Sequence, residues 1–150
     1  MPKLAVPEAR VDRHGLSGDR QRDLRYHGGP DRAVCLMAIE PLEAWAAEGH
    51  PIKAGSTGEN ITVRGLDWAQ VVPGVRLRLG ATAVIEITDF ARPCKKNRGW
   101  FSDGNFNRMN QKSFPGKSRV YARVLTTGTV RPGDAVAWVA AEAPAPARVG

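Results

Sequence analysis

The chain has 150 residues, 42% of them hydrophobic and 25% charged, and this composition is close to that of ordinary globular domains. This composition excludes disorder as the overall state. No apolar run reaches the roughly 18 residues of a membrane span, and a chain with two cysteines cannot be a disulfide-framework protein. The net charge of +7 is localised, because residues 92–119 carry eight basic residues against one acidic residue, while the remaining fourteen of each sign cancel.

Strands are predicted where short runs rich in Val, Ile and Thr, or alternating in polarity, lie between turn-forming residues. Two of them follow Pro-Gly pairs (Pro73-Gly74 and Pro132-Gly133), which suit the central positions of a type II turn. The predicted strands are 33–39, 60–63, 75–79, 83–88, 119–126 and 135–139. We therefore expect a mainly β protein, a barrel or a sandwich, with one or a few short helices.

One helix is predicted over residues 41–48. Pro41 suits the first helical turn, where its missing N–H costs no hydrogen bond. Leu42, Trp45 and Ala46 recur on one face, and Gly49 is a natural stop. A shorter helical turn is predicted to begin at Asp67.

The segment 92–118 has no regular pattern, and so long an irregular stretch in a compact domain is typically functional or disordered. Its basic residues predict an anionic partner held at one place, phosphate being the first guess. Four interleaved aromatic residues also allow a nucleic-acid-binding barrel with stacking platforms: Trp100, Phe101, Phe106 and Phe114. We interpret these rings as packing under the loop, so nucleic acid is not an expected partner.

Cys94 is the leading candidate for chemistry. It lies among four cationic residues, which favour the reactive thiolate form: Arg92, Lys95, Lys96 and Arg98. Cys35 lies in the apolar run of a predicted strand, where cysteine behaves as a small hydrophobic residue. The two thiols are therefore expected to have different roles, chemical for Cys94 and structural for Cys35.

Two further motifs carry candidate binding residues. Arg20 and Arg32 could bind oxyanions through their guanidinium groups, and the glycines near them would let the backbone approach the ligand closely. The alternative is a tight turn capped by Asp31. Glu59 and Asn60, entering a predicted strand, could recognise polar ligand edges.

Taken in order, these motifs resemble the MOSC family, named for the C-terminal domain of molybdenum-cofactor sulfurase. The resemblance extends from about residue 15 to residue 139 and implies a β-barrel fold, so that residues 1–139 form one domain and residues 140–150 a flexible Ala/Pro-rich tail. It rests on Gly18-Asp19-Arg20, His27-Gly28-Gly29-Pro30-Asp31-Arg32, Gly58-Glu59-Asn60, Arg92-Pro93-Cys94, Tyr121-Ala122-Arg123-Val124, Gly128 and Pro132-Gly133-Asp134.

The resemblance implies that Cys94 ligates molybdenum in a pterin cofactor (molybdopterin), which makes the protein an oxidoreductase that reduces small N-hydroxylated compounds with an external electron donor. The alternative is a sulfur or cofactor carrier that works with a pyridoxal-phosphate-dependent cysteine desulfurase through a persulfide on Cys94. The candidate cofactor-binding residues are Arg20, His27, Gly28, Gly29, Asp31, Arg32, Gly58, Glu59, Asn60, Arg92 and Arg119. The first residues lack a secretory signal, so we expect a cytoplasmic protein with no membrane partner.

Overall fold

The computed structural model of the chain describes residues 9–12, 15–16 and 30–140. Within them, the longest helix is α1 (Ile39–Ala47). The strands are β1 (Ala9–Asp12), β2 (Gly15–Leu16), β3 (Val34–Ala38), β4 (Ile61–Val63), β5 (Arg76–Leu79), β6 (Ala83–Phe90), β7 (Val120–Thr126), β8 (Gly128–Val130) and β9 (Val136–Val139). Short 3-10 turns occupy Pro30–Arg32, Trp68–Gln70, Lys95–Trp100 and Phe106–Met109.

The larger sheet has the strand order β4-β3-β7-β6-β5-β9, and the smaller has the order β2-β1-β8. All pairs are antiparallel except β3 and β4, which are joined by a crossover through α1, as a parallel pair requires. The two outer strands of the larger sheet, β4 and β9, both line one cleft of about 210 Å³. The sheet therefore curls into a half-barrel, and the expected mainly β, barrel-like fold is confirmed.

β3 is buried on both faces, and this double burial organises the molecule. Val34, Leu36 and Ala38 face the main core between the sheets. Because side chains alternate along a strand, Cys35 and Met37 face the opposite side. There Met37 joins a second hydrophobic cluster with α1, and Cys35 packs against Ala91 and Tyr121.

The irregular basic segment is packed against α1 by its aromatic side chains. The rings of Trp45 and Phe101 meet edge to face, with centroids 5.2 Å apart. Met109 is buried in the same cluster, and Trp100 and Phe106 pack against it. The interpretation of these rings as packing agrees with this arrangement, although Phe114 is exposed.

The predicted elements match the structure to within about two residues at most ends. α1 begins at Ile39, so Pro41 lies in the first turn, where no N–H donor is needed. Gly74 and Gly133 have φ of 95° and 88°, as the predicted turns require. The patterns missed the smaller sheet, whose strands β1, β2 and β8 are short and whose pairing of β1 with β8 joins distant parts of the chain.

Gly128 stands where the smaller sheet meets the larger one. A Cβ atom there would lie 2.7 Å from the Ala83 backbone nitrogen, at the start of β6. A larger residue would push the two sheets apart.

Among the described residues, no helix has the length and apolar character to cross a membrane.

Candidate functional site

Cys94 lies four residues beyond the end of β6, on extended backbone directly before the 3-10 turn Lys95–Trp100. Its carbonyl oxygen accepts a hydrogen bond from the Asn97 backbone N–H at 2.9 Å, which closes the first turn. The thiol is free and the residue is partly exposed, whereas Cys35 is buried. Cys94 is therefore the thiol that a ligand can reach.

The four cationic neighbours of Cys94 are all exposed: Arg92, Lys95, Lys96 and Arg98. In the part of the chain that the structure describes, none of them forms an ion pair with a carboxylate. Arg108 differs, because it donates to both carboxylate oxygens of Asp103 at 2.6 Å and holds the pKa of Asp103 well below its ordinary value. The uncompensated positive charge thus surrounds the thiol and is available to an anionic ligand.

Arg119, at the start of β7, is only 6% exposed although it carries a charge. Its Nη1 donates to the Thr57 carbonyl oxygen at 3.1 Å, and its Nη2 donates to the Arg92 carbonyl oxygen at 2.8 Å. Its Nε is buried and has no hydrogen-bond acceptor among the described residues. A buried guanidinium thus lies against the backbone two residues before Cys94.

Asn97 adds a second unsatisfied donor on the other side of Cys94. The residue is 4% exposed, and its side-chain Nδ2 has no acceptor within the described ranges. Because buried polar groups are nearly always hydrogen-bonded, one such atom on the segment that carries Cys94 and another on a residue that contacts it indicate acceptors that a ligand would bring. Asn97 was not selected from the sequence, although its position three residues after Cys94 was the available clue.

The Gly58-Glu59-Asn60 motif reaches this region, but its side chains bond within the protein. Glu59 is buried and accepts hydrogen bonds on both carboxylate oxygens, from Gly55 N, Thr57 Oγ1 and Thr62 Oγ1. The Asn60 Oδ1 atom accepts from the Cys35 backbone N–H at 2.7 Å. Here the motif shapes the loop that faces Arg119, and its direct binding of a ligand stays a prediction.

Asp31 and Arg32 lie in the 3-10 turn Pro30–Arg32, which packs against β7. The Arg32 guanidinium stands over the Tyr121 ring, 5.0 Å from its centroid, and Tyr121 packs against Cys35 and Ala91. Burial raises the pKa of Tyr121, so the phenol stays neutral and can act as a donor. The Asp31 Oδ1 atom lies 3.6 Å from Nη1 of Arg123, and the two side chains form an ion pair. The predicted site residues Arg20, His27, Gly28 and Gly29 lie outside the described residues.

Comparison with known proteins decides the family. The MOSC domain model matches residues 23–137, most of the chain. The chain belongs to the MOSC domain family. YflK of Bacillus subtilis (strain 168) is 36% identical over 134 residues, which are 89% of this chain and 59% of YflK. A reductase of Gibberella moniliformis (strain M3125 / FGSC 7600) is 27% identical over 83% of this chain, which corresponds to 21% of that protein.

The fold of this MOSC protein also matches solved structures. The crystal structure of YiiM from Geobacillus stearothermophilus superposes with a TM-score of 0.68 at 26% identity, covering 89% of this chain and 60% of YiiM. The chain thus spans about three fifths of the length of YflK and YiiM.

Proposed function

We propose that this MOSC protein is an oxidoreductase that binds a molybdenum–pterin cofactor through Cys94 and reduces small N-hydroxylated compounds. The observation that carries the proposal is the reachable Cys94 thiol, with unpaired cations around it and two unsatisfied buried donors beside it. The family model and the similarity to part of a fungal reductase support it.

The residues at this site fit such a cofactor. A thiolate is a soft ligand that suits molybdenum bound to other sulfur atoms. Arg92 and its exposed cationic neighbours would bind the phosphate of the pterin by charge-assisted hydrogen bonds. Among the described residues, no group of three His, Cys, Asp or Glu side chains forms a metal site, so in this part of the chain Cys94 is the proposed protein ligand.

The bound cofactor would supply the redox chemistry, and the protein would supply position, charge and access. Conversion of an N–OH group to N–H and water takes two electrons and two protons, so an external electron donor is required. The chain's own contribution is to hold the Cys94 sulfur at a partly exposed position, to bind the anion through the nearby cations, and to keep Asn97 Nδ2 and Arg119 Nε available as donors.

The experiment compares Cys94→Ser with Cys35→Ser, a control at the second, buried cysteine of the chain. Both variants and the unmodified protein are co-expressed with an intact cofactor pathway, and molybdenum and pterin are measured after purification. We expect near-stoichiometric metal in the unmodified protein and in Cys35→Ser, and at least a tenfold loss in Cys94→Ser. Reduction of hydroxylamines and amidoximes is then assayed with a chemical electron donor.

Molybdenum retained equally by Cys94→Ser would contradict the proposed ligand. If the unmodified protein contains neither metal nor pterin, the sulfur-carrier alternative is tested next, by incubation with a cysteine desulfurase and cysteine. A persulfide on Cys94 would add about 32 Da to the mass, and Cys94→Ser would gain nothing.

A further inference from the structure

A continuous path of hydrogen bonds joins residues 53–60, the Glu59 loop, to residues 91–97, the Cys94 segment. At one end, the Glu59 carboxylate binds Gly55 N at 3.0 Å and Thr57 Oγ1 at 2.7 Å, which fixes the shape of the loop. The Thr57 carbonyl oxygen then accepts from Arg119, and the same guanidinium donates to the Arg92 carbonyl oxygen. The path therefore runs from Glu59 to a residue two positions before Cys94.

The backbone near Arg119 is tied to the same segment a second time. The Ala91 N–H donates to the Arg119 carbonyl oxygen at 2.9 Å. The Ser118 hydroxyl lies between two acceptors, 2.7 Å from the Arg119 carbonyl oxygen and 3.2 Å from that of Ala91. Ser118 is itself held by Trp68, whose Nε1 donates to its carbonyl oxygen at 2.7 Å. The start of β7 is thus a rigid support, and the Arg119 side chain extends from it across to the loop.

Burial of the Arg119 side chain is unfavourable for the stability of the fold. Burial of a guanidinium without a carboxylate partner carries a desolvation penalty that neutral carbonyl acceptors offset only in part. None of the described carboxylates forms an ion pair with Arg119, and its Nε has no acceptor there. What the planar guanidinium provides is geometry, since its donors leave in fixed directions toward two different segments.

We infer that Arg119 is a positioning residue for Cys94: its buried guanidinium clamps the Arg92 carbonyl to the Glu59-ordered loop and thereby fixes the segment that presents the thiol. This inference rests on the proposed function only in taking Cys94 as the functional sulfur. It links the Gly-Glu-Asn and Pro-Cys motifs, although Asn60 and Cys94 are 34 positions apart in the sequence.

The test measures hydrogen–deuterium exchange over residues 91–97 in the cofactor-free protein, where the hydrogen-bonded N–H groups of Ala91 and Asn97 report on the segment. Arg119→Met removes the clamp and keeps an unbranched side chain. Arg123→Met is the matched control, because Arg123 also lies on β7 but is exposed and bonds to Glu86. We expect exchange at 91–97 to rise at least about tenfold in Arg119→Met and less than about twofold in Arg123→Met.

Arg119→Lys separates geometry from charge. The lysine ammonium keeps the positive charge but lacks the planar fork of the guanidinium. Exchange at 91–97 in Arg119→Lys should therefore fall between that of the unmodified protein and that of Arg119→Met. Urea unfolding of each variant checks the global stability. A purely structural role would raise exchange throughout the sheet, including β5, whereas a positioning role confines the change to 91–97 and the Glu59 loop.

A double-mutant cycle tests the whole path. Thr57→Val, which weakens the hold of Glu59 on the loop, should raise exchange at 91–97 by several-fold when Arg119 is present and add little in Arg119→Met. Unchanged exchange at 91–97 in a folded Arg119→Met protein, or an equal rise in Arg123→Met, would overturn the inference. If Arg119→Met does not fold, exchange in Arg119→Lys identical to that of the unmodified protein would overturn it.

These measurements need neither metal nor turnover. A protein that binds no molybdenum but shows the exchange pattern would refute the proposed function and leave the positioning role intact. The reverse result, full molybdenum loading with unchanged exchange in Arg119→Met, would refute the positioning role alone.

Discussion

Two neighbouring loops of this MOSC protein bury polar side chains and satisfy them differently. In the loop of residues 53–60, the buried carboxylate of Glu59 has a donor on each oxygen, and Ser56 Oγ accepts from the Lys53 N–H. In the segment of residues 91–101, Asn97 Nδ2 is buried without an acceptor, and so is Nε of Arg119, which contacts that segment. Within the described residues, the first loop is a closed network and the second is an open one.

The difference separates scaffold from binding surface. A closed network gains nothing from a ligand, because its groups are already paired and rearrangement would break good hydrogen bonds. In an open network, the unsatisfied groups lower the stability of the ligand-free protein, and this loss is reversed when a ligand supplies the acceptors. The buried carboxylate therefore belongs to the support, and the segment that carries Cys94 is the one to which we assign the proposed anion-binding role.

The largest predicted effect comes from breaking the closed network. Glu59→Ala leaves the donors of Gly55, Thr57 and Thr62 without their acceptor in a buried loop, and we expect a loss of about 3 kcal/mol or more of unfolding free energy. Urea denaturation followed by circular dichroism measures it. Glu43→Ala is the control, because Glu43 is exposed and pairs with Arg64 at the surface.

If Glu59→Ala unfolded at the same urea concentration as Glu43→Ala, the loop would not be the rigid support described above. The path from Glu59 through Arg119 to Cys94 would then lose its fixed end.

A second comparison places one substitution in each loop. Asn60→Leu removes the acceptor of the Cys35 N–H, so we expect a loss of about 2 kcal/mol. Asn97→Leu removes a buried donor that has no acceptor among the described residues, so the ligand-free protein should be unchanged or more stable by up to about 1 kcal/mol. Denaturant unfolding of both variants under identical conditions measures the difference.

Molybdenum content sharpens this second comparison. Asn97→Leu should bind less of the cofactor than the unmodified protein although its fold is as stable, because a donor for the ligand is lost. An Asn97→Leu protein that is clearly destabilised without cofactor would show that Nδ2 is satisfied within the chain and that the network is not open.

Sequence patterns predicted the larger sheet and α1 well because their signals are local. Alternation and Pro-Gly turns depend on residues a few positions apart, as at Gly74 and Gly133. The same reasoning could select Cys94 from its charged neighbours. It could not show that Arg119 is buried, because that depends on a partner from a distant segment, Thr57. The partners of Glu59 are local, but hydrogen bonds within an irregular loop leave no periodic pattern in the sequence.

The smaller sheet shows the same limit. β1 pairs with β8 across more than 110 residues, and β8 is a three-residue strand whose start, Gly128, offers no apolar side chain. Its place is fixed by close approach to Ala83, which only the folded chain brings about. Long-range pairing of short strands leaves little periodic signal in the sequence.

The smallest effect concerns the one acidic residue of the basic segment. Arg108 holds the pKa of Asp103 well below the ordinary value of 3.8, first through its side-chain hydrogen bond and then through the Asn105 backbone N–H. A folded pKa below the unfolded one means that the pair stabilises the protein above the unfolded pKa and that this contribution is lost as pH falls through the folded value. Because the carboxylate is exposed, the contribution is small.

Asp103→Asn should therefore unfold at a slightly lower temperature than the unmodified protein near pH 7, and the gap should narrow as the pH falls below about 4. Thermal unfolding from pH 7 to pH 2 measures the gap, with Asp67→Asn as an exposed control in which no such ion pair is lost. A gap that widened toward acid would mean that Asp103 is not the group held ionised by Arg108.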